Sequence, residues 1–302
     1  MRRPARVDAV SLLRISDEVR TALAERRPVV ALETTLVAHG FPSPDGVEVA
    51  AASESAVRAV GAVPATVGVL DGAIRVGLDA DELERFTPAA RKLGPRDLAG
   101  CAVAGDVGAT TVGGTLAVAR AVGIRFLGTG GIGGVHRGGP PLDISADLVA
   151  LATARVLVVC SGAKSLLDIP ATSELLETLG VPVLGYRTET VPLFYAAAGG
   201  PPASERVDDV VTAARIAAAH WSLGGAGLVL AQPPPESLDV SSLIEDALEE
   251  AARRGIAGQE VTPFVLASLH ERSGGRTLEV NRALIVANAR LAGELSVAFA
   301  AL

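Results

Sequence analysis

Aromatic residues are scarce in this chain. Only 3% of its 302 residues are Phe, Trp or Tyr, although 49% are hydrophobic. The core volume must therefore come from Ala, Val, Leu and Ile, as expected where small residues bring helices close to a sheet. The length suffices for one large domain or two small ones. Because no linker-like tract divides the chain, we expect a single domain over residues 1–302.

Cysteines and long hydrophobic runs are also few. Cys101 and Cys160 lie beside apolar segments and have no CxxC or Cys/His spacing, which disfavours zinc and redox sites. Small buried thiols in a reducing compartment account for both. Charge, Pro or Gly interrupts every apolar stretch of membrane-spanning length, and no secretory apolar core follows the basic residues 1–6. We expect a cytoplasmic protein that does not contact a membrane.

Positive charge is in the minority, since the formal net charge is −7. Nucleic-acid binding depends largely on neutralising phosphates, so a nucleic-acid partner is disfavoured. A local positive pocket can still hold a small anion. The chain has neither a GxGxxG that opens a helix nor a GxxxxGK[ST], and thus lacks the usual loops for dinucleotides and nucleoside triphosphates. A small-molecule substrate is the expected partner.

Strand-like and helix-like segments alternate along the chain. This alternation predicts a layered α/β fold with a mixed, partly parallel central sheet. Asp71-Gly72 is typical of a hairpin turn between two strands. Strands are predicted over 28–32, 66–70, 73–76, 98–104, 125–129, 156–160, 181–186 and 227–231. Helices are predicted over 7–25, 45–60, 111–121, 144–153, 173–179, 207–223, 237–254, 262–273 and 276–302.

The strongest chemical signal lies between Phe126 and Lys164. Glycines at 128–139 allow several backbone N–H groups to approach an anion such as a phosphate. Lys164 follows the apolar run 156–160, at the position where open α/β sheets bind ligands. An amine held partly out of water, or beside another cation, is a nucleophile toward a sugar aldehyde. These features indicate an enzyme that acts on a phosphorylated small molecule.

Three further side chains have both a functional and a structural interpretation. Glu33 follows the apolar residues 29–32. An apolar environment raises the pKa of a carboxyl group, which suits it to proton transfer. Neighbouring N–H groups would equally satisfy it as a structural residue. His39 either contacts substrate or is structural. Lys92, on a predicted turn with Arg96, either reaches a phosphate or is exposed to solvent.

Two more segments combine groups that bind ions. The glycines and hydroxyls of 108–115 precede a predicted helix, which suits either an anion site or ordinary capping by Thr110 or Thr111. Asp143 and Asp147 have the i, i+4 spacing of one helix face and could hold Mg²⁺ or Mn²⁺. Alternatively, Asp143 caps that helix and Asp147 is a solvated helix residue.

Taken in order, these motifs resemble the pseudouridine-5′-phosphate glycosidase family, also called the indigoidine synthase A-like family. The resemblance runs from about Ser16 to about Leu302. Each motif alone is weak, but several long motifs in a fixed order speak against chance similarity. They are ALETT at 31–35, HGFP at 39–42, Lys92 with RDL at 96–98, GATTV at 108–112, TGGIGGVHRG at 129–138, DISADL at 143–148, CSGAKS at 160–165, GY at 185–186 and TPF at 262–264.

The resemblance implies an α/β/α three-layer fold, a homotrimer, and reversible cleavage of pseudouridine 5′-phosphate into uracil and ribose 5-phosphate. By matching position, Lys164 corresponds to the covalent nucleophile, Glu33 to the proton donor and Asp143 to the manganese ligand. The implied substrate contacts are Lys92, Val112, Ser145, Ala146 and Asp147.

The implied reaction explains why these residue types are needed. The scissile bond joins sugar C1′ to a carbon of uracil, so the two-carboxylate scheme of ordinary glycosidases suits it poorly. Opening of the sugar ring exposes C1′ to a lysine amine, and an imine-type adduct assists cleavage. A proton must also reach uracil C5. One clear carboxylate ligand implies a largely hydrated Mn²⁺.

Several positions depart from the family pattern. Ala38 stands where Ser is usual, Ser161 replaces a usual Ala, and Ala287-Asn288 occupies the place of an Asn-Asn pair. The loop over 136–143 is one residue shorter than usual. These departures bear on substrate preference and phosphate affinity. Two alternatives stay open: the same chemistry on another base or sugar phosphate, and a non-catalytic sugar-phosphate sensor, which the intact Glu33, Asp143 and Lys164 disfavour.

Overall fold

The computed structural model of the chain describes residues 12–137, 143–256 and 261–302. They form an eleven-stranded sheet, a small two-stranded sheet and flanking helices. The strands are β1 (Leu13–Ile15), β2 (Val29–Glu33), β3 (Val63–Leu70), β4 (Ala73–Val76), β5 (Arg91–Leu93), β6 (Gly108–Thr110), β7 (Phe126–Gly128), β8 (Val135–His136), β9 (Leu157–Cys160), β10 (Leu167–Asp168), β11 (Val183–Tyr186), β12 (Glu205–Val207) and β13 (Leu228–Ala231). The helices are α1 (Asp17–Ala24), α2 (Asp45–Ala59), α3 (Ala80–Leu83), α4 (Leu98–Ala104), α5 (Val112–Val122), α6 (Ala146–Thr153), α7 (Ile169–Thr178), α8 (Val210–Ser222), α9 (Ser241–Arg253), α10 (Val261–Arg272) and α11 (Arg276–Ala300), with a π-helical turn over Leu36–Gly40.

The large sheet is mixed and largely parallel, as the sequence predicts. Its main path runs β1-β4-β3-β2-β7-β9-β13-β11-β12, while β6 pairs with β3 and β5 pairs with β6. All pairs from β3 through β2 to β12 are parallel. The predicted hairpin joins β3 and β4 in an antiparallel pair. Its turn residues Asp71 and Gly72 have φ of 51° and 72°, as a two-residue hairpin turn requires.

Helices cover both faces of the sheet. Alternate residues of a strand point to opposite faces, so Val30 and Leu32 of β2 pack in one hydrophobic cluster while Val29 and Ala31 pack in another. Burial of both faces explains why the central strands are continuous apolar runs. The three-layer α/β/α fold implied by the family resemblance is confirmed.

Helix α11 lies in the core of the protein. Within the described ranges it is the one helix long and apolar enough, by length and composition, to cross a membrane, and half of its apolar window is buried. It packs against α2, α8 and β7. A Cβ on Gly128 would lie 2.9 Å from Cα of Ala289. Small residues therefore bring this helix close to the sheet, as the low aromatic content predicts.

The strand predicted over 98–104 is wrong, because these residues form α4. Leu98, Cys101 and Ala102 are its buried residues, and their spacing follows the helical period. A short apolar run does not by itself distinguish a buried strand from a buried helix. Cys101 therefore lies on a helix, whereas Cys160 ends β9 as predicted.

The helix predicted over 7–25 is only partly correct. Residues 7–11 lie outside the described residues, and β1 occupies part of the remaining range, where it pairs in parallel with β4. Ser16 then caps α1, because its hydroxyl accepts a hydrogen bond from the backbone N–H of Val19 at 3.4 Å. A strand edge and a cap thus replace the first turns of the expected helix.

Candidate active site

The adjacent carboxyl ends of β2, β7 and β9 bring three polar residues together. Glu33 is the last residue of β2, Thr129 follows β7, and Lys164 follows β9 after a short turn. Gly162 in that turn has φ of 85°, a conformation that favours glycine. The backbone N–H of Lys164 then bonds Ile132 O at 3.1 Å. This is the edge of the sheet at which the sequence predicts a ligand site.

Glu33 has a buried carboxyl group that accepts a hydrogen bond from the hydroxyl of another residue. Its Oε1 accepts a hydrogen bond from Thr129 Oγ1. No backbone N–H within the described ranges donates to this carboxylate, so the structural interpretation of a strand-end glutamate satisfied by amides does not hold. Burial raises the pKa of Glu33, although the charges of Lys164 and Lys92 and the Thr129 hydrogen bond oppose that rise. Such a carboxyl keeps its proton to higher pH than usual and can donate it.

Lys92 lies in the middle of β5, so its predicted placement on a turn is wrong, and it is half-buried instead of fully exposed. Its strand pairs in parallel with β6, where Lys92 lies opposite Ala109. This pairing joins residues that are distant in sequence, so no local pattern reveals it. The neighbouring Gly94-Pro95 favoured a turn instead. Burial lowers the pKa of Lys92, and the positive charge of Lys164 lowers it further, against the attraction of Asp147 and Glu33.

Lysine occurs in this chain only at the site. The 27 basic residues comprise 25 arginines and the two lysines Lys92 and Lys164. Both lysines line the same cavity. An arginine side chain keeps its proton in proteins, whereas a lysine amine can lose it and act as a nucleophile. This composition was visible in the sequence and is the signal that sequence reasoning missed.

Every site residue predicted from the sequence lines one cavity of about 900 Å³. It lies over the carboxyl ends of the strands and the first turns of α5 and α6. The predicted residues among its lining are Glu33, Lys92, Val112, Asp143, Ser145, Ala146, Asp147 and Lys164. Residues up to 131 positions apart in the chain thus meet around one space.

Asp147 acts as a clamp between two glycine-containing segments. Its Oδ1 accepts a hydrogen bond from Gly113 N at 2.7 Å, and its Oδ2 accepts one from Gly133 N at 2.8 Å. The residue is only 5% exposed, so the alternative of a solvated helix residue is wrong. A Cβ on Gly133 would lie 2.8 Å from Asp147 Oδ2, which explains why glycine is needed there. The clamp fixes the first turn of α5 against the glycine-rich turn.

Asp143 does not share a helix face with Asp147, because α6 begins only at Ala146. The cap of α6 is Ser145, whose hydroxyl accepts a hydrogen bond from Asp147 N at 3.2 Å. Both helical interpretations of Asp143, as half of a carboxylate pair and as a cap, are therefore wrong. The carboxylate Oδ1 of Asp143 lies 3.1 Å from His136 Nδ1 instead.

The surroundings of Asp143 suit a hydrated cation better than an all-protein cage. Within the described residues, no three His, Cys, Asp or Glu side chains form a group that could hold a metal ion. Asp143 nevertheless lines the large cavity beside Ser145. One carboxylate with space for water fits Mg²⁺ or Mn²⁺, which commonly keep several waters. Residues 138–142 of the loop judged to be shortened lie outside the described residues.

Threonine hydroxyls fix the start of α5. Thr111 caps the helix, since its hydroxyl accepts a hydrogen bond from Gly114 N at 3.2 Å. The Thr110 hydroxyl instead donates to Val67 O on β3 at 2.8 Å. The capping interpretation of Thr111 is confirmed, and the first helical residue, Val112, lines the cavity. The positive end of the α5 dipole therefore lies at this site.

A second cavity of about 60 Å³ adjoins the first. The two share Glu33, Thr35, Lys92 and Lys164 as lining residues. His39, whose role the sequence left open, lines only the smaller cavity. Burial, and next the charge of Lys92, lower the pKa of His39. Sequence reasoning missed the other polar residues of this cavity, because nothing local distinguishes them.

One departure from the family pattern, Ser161, contacts Asn288 behind the site. Asn288 Nδ2 donates to Thr129 O at 2.9 Å and to Ser161 Oγ at 3.1 Å. Ser161, where alanine is usual, thus gives Asn288 an additional partner. Ala287 is half-buried and lines neither cavity, and Ala38 is buried in the π-helical turn.

Known sequences resemble this chain over nearly its whole length. The family model described as indigoidine synthase A-like protein matches residues 18–298. A pseudouridine-5′-phosphate glycosidase of Myxococcus xanthus is 48% identical over 298 residues, which cover 95% of this chain and 98% of the relative. Another, of Herpetosiphon aurantiacus, is 48% identical over 293 residues, which cover 94% and 97%.

Two solved structures share the fold. The prealnumycin C-glycosynthase, in complex with ribulose 5-phosphate, is 44% identical with a TM-score of 0.88, covering 96% of this chain and 97% of that one. An indigoidine synthase A-like protein of Thermotoga maritima is 38% identical with a TM-score of 0.83, covering 89% and 92%. The resemblance seen in the motifs is confirmed, and the chain belongs to the indigoidine synthase A-like family.

Proposed function

We propose that this protein is a pseudouridine-5′-phosphate glycosidase, which reversibly cleaves the bond between sugar C1′ and uracil C5. The observation that carries this proposal is the meeting of Lys164, Lys92 and the buried Glu33 in one cavity. The names of the curated relatives support the substrate, and the bound ribulose 5-phosphate of the C-glycosynthase supports a sugar-phosphate site.

Lys164 is the proposed covalent nucleophile. Its unprotonated Nζ forms a bond to C1′ while the C1′–O4′ bond breaks, and O4′ takes up the proton released by the amine. The sugar is now an open chain joined to the enzyme. Lys92 lines the same cavity as Lys164 and supplies a second cation to the sugar-phosphate site.

Glu33 is the proposed proton donor to uracil. The Nζ lone pair forms a C1′=N bond as the C1′–C5 bond breaks, and C5 takes the proton of the carboxyl. Water then adds to the imine, ribose 5-phosphate leaves, and Glu33 regains its proton. The raised pKa of Glu33 supports this role, since the acid must be protonated when the bond breaks.

The first turns of α5 and α6 are the proposed phosphate site. Val112 and the segment Ser145, Ala146 and Asp147 line the cavity at two helix N-termini, whose partial positive charge favours an anion. Both carboxylate oxygens of Asp147 already accept backbone hydrogen bonds. Its backbone N–H also donates to Ser145 Oγ, so Asp147 is assigned to positioning this segment against the substrate, while Lys92 supplies the side-chain cation.

Asp143 is the proposed ligand of Mn²⁺. When bound, the ion neutralises negative charge on the substrate and orders the water around it. His136 lies beside the carboxylate and holds its orientation. A homotrimer follows from the family resemblance alone, and light scattering of the purified protein tests it through a mass three times that of the chain. A cytoplasmic location stays the expectation from the sequence.

Release of uracil tests the proposal. Purified protein with Mn²⁺ and pseudouridine 5′-phosphate is expected to release uracil, measured by chromatography, and Lys164→Ala is expected to release none. If ribose 5-phosphate binds but no uracil is released, the sensor alternative gains support. A second candidate is C–C bond formation to another ring, which the 44% identity to the C-glycosynthase favours. Turnover of other bases in place of uracil would indicate it.

A further inference from the structure

The turn that carries Lys164, residues 161–165, lies between two other segments of the chain. On one side are residues 130–132, where Ile132 O accepts a hydrogen bond from Lys164 N at 3.1 Å. On the other side is the tip of the long connection between β11 and β12, residues 193–196. The neighbouring strands β7 and β9 account for the first contact. For the second contact the connection must reach past β13, which lies between β9 and β11.

Two hydrogen bonds join this tip to the first and last residues of the lysine turn. Before Lys164, Ser161 O accepts a hydrogen bond from Phe194 N at 2.9 Å. After Lys164, the hydroxyl of the half-buried Ser165 donates to Leu193 O at 2.6 Å. Adjacent residues of the tip therefore hold both ends of the turn. Of the two bonds, only the one from Ser165 depends on a side chain.

The tip and the turn approach each other closely. Gly162 has φ of 85°, and a Cβ at this position would overlap the carbonyl oxygen of Pro192. Phe194 has φ of 62°, which is uncommon for a residue other than glycine and costs energy. Its ring lies against Gly131, where a Cβ would be 2.6 Å from the ring. Strained residues of this kind are typical of functional sites, where the surrounding structure holds them in place.

The tip is also fixed on the side away from the turn. Tyr195 O accepts a hydrogen bond from Leu238 N at 2.8 Å, and the Ser237 hydroxyl accepts one from Ala197 N at 2.9 Å. The rings of Tyr195 and Phe194 form an edge-to-face contact with centroids 4.8 Å apart. A tip that is anchored from behind can hold the lysine turn in one place.

We infer that Ser165 is a positioning residue for Lys164, because its hydrogen bond to the tip at residues 193–196 fixes the backbone from which the amine reaches the substrate. This inference rests on the proposed function. Attack on C1′ requires the reacting atoms to lie about 3–3.5 Å apart, and a displacement of about 1 Å can slow a reaction about a hundredfold. A lysine side chain is flexible, so its backbone must supply much of this precision.

The rate of adduct formation tests the role of Ser165. Protein is mixed with ribose 5-phosphate at several concentrations, samples are quenched with borohydride at increasing times, and modification of Lys164 is measured by mass spectrometry. Ser165→Ala is expected to lower the maximal rate about tenfold, the effect of one lost hydrogen bond, and to keep the half-saturating concentration within about twofold. Ser165→Thr keeps the hydroxyl and is expected to recover most of the rate.

Ser222→Ala is the matched control for this change. The exposed Ser222 hydroxyl also donates to a backbone carbonyl, that of Ala219, at 2.7 Å, and it lies outside both cavities. This variant should form the adduct at the wild-type rate. The unfolding temperature of each variant separates positioning from folding. A merely structural role of Ser165 would lower that temperature in Ser165→Ala and leave the rate of the folded protein unchanged.

Two glycines in the same conformation provide a second test. Gly162 and Gly61 have φ of 85° and 87°, so alanine bears a similar backbone cost at either position. Among the described residues, no atom lies within 4 Å of a Cβ on Gly61, whereas one on Gly162 would push the tip away from the turn. Gly162→Ala should therefore slow adduct formation at least about tenfold, and Gly61→Ala should not. Equal rates in the two variants contradict a role of the tip.

Failure of the inference differs from failure of the proposed function. If the wild-type protein forms no adduct on Lys164, the covalent role is wrong and the inference falls with it. If the wild type forms the adduct and Ser165→Ala forms it equally fast, only the positioning role is overturned. A slower rate that higher concentrations of ribose 5-phosphate restore fully also overturns it, because Ser165 would then act on binding.

Discussion

Thr129 donates its hydroxyl hydrogen to Glu33 across two neighbouring parallel strands. This hydrogen bond stabilises the carboxylate form and opposes the rise that burial causes in the pKa of Glu33. Burial and the charge of Lys164 influence this pKa more strongly, and the Thr129 hydrogen bond lowers it further.

Thr129→Val removes this hydrogen bond with little change in side-chain shape. The pKa of Glu33 should therefore rise further above its usual value. In the proposed reaction Glu33 is the acid, so activity should fall as pH rises through its pKa. The alkaline limb of kcat/KM should therefore move to higher pH in the variant.

Thr178→Val is the control for this shift, since Thr178 lies exposed on α7 and its hydroxyl bonds only within the helix. A pH profile measured on both variants and the wild type separates the effects. Movement of the alkaline limb to lower pH in Thr129→Val would contradict the assignment of Glu33 as the acid.

Asp147→Asn should weaken the clamp between the glycine-rich turn and α5. One of the two backbone N–H groups would face an amide NH₂ and lose its acceptor. We expect a loss of about 1–3 kcal/mol in the free energy of unfolding, measured with urea, and a higher KM for the phosphorylated substrate.

Asp168→Asn is a matched control. Asp168 caps α7 by accepting a hydrogen bond from Ala171 N at 3.0 Å, and asparagine is an equally good cap. This variant should keep the KM of the wild type. If Asp147→Asn likewise leaves both stability and KM unchanged, Asp147 is not the clamp that its two hydrogen bonds indicate.

Asp143→Ala should weaken Mn²⁺ binding, because it removes the one carboxylate assigned to the ion. The affinity can be measured by calorimetry on the protein without substrate. A chelator should abolish wild-type activity, and added Mn²⁺ should restore it. Asp246→Ala changes an exposed carboxylate outside the cavity and serves as the control. Equal Mn²⁺ affinity in both variants would contradict the assignment.

The sequence predicts the sheet and the members of the site better than it predicts their interactions. Buried strands such as β9 are continuous apolar runs, and the site motifs occur in a fixed order. The place of Lys92 on a strand depends on pairing with β6, which leaves no local pattern. Likewise, the clamp formed by Asp147 joins segments that are 34 and 14 residues away in sequence.

The smaller cavity could not be predicted for the same reason. Tyr195 and Asn281 lie far from Glu33 in sequence, and each reads as an ordinary residue in its own segment. Only the folded chain shows that their polar atoms line one cavity and lack partners. In contrast, the restriction of lysine to Lys92 and Lys164 was readable from composition alone.

This restriction makes the covalent role of Lys164 directly measurable. Borohydride reduces an imine to a stable amine, so incubation with ribose 5-phosphate and borohydride should add one reduced sugar phosphate to the chain. Mass spectrometry of peptides should find it on Lys164. The Lys92→Arg variant keeps the neighbouring charge and should still be modified on Lys164. The Lys164→Arg variant should be neither modified nor active. Modification of Lys92 instead, or full activity of Lys164→Arg, would contradict the account.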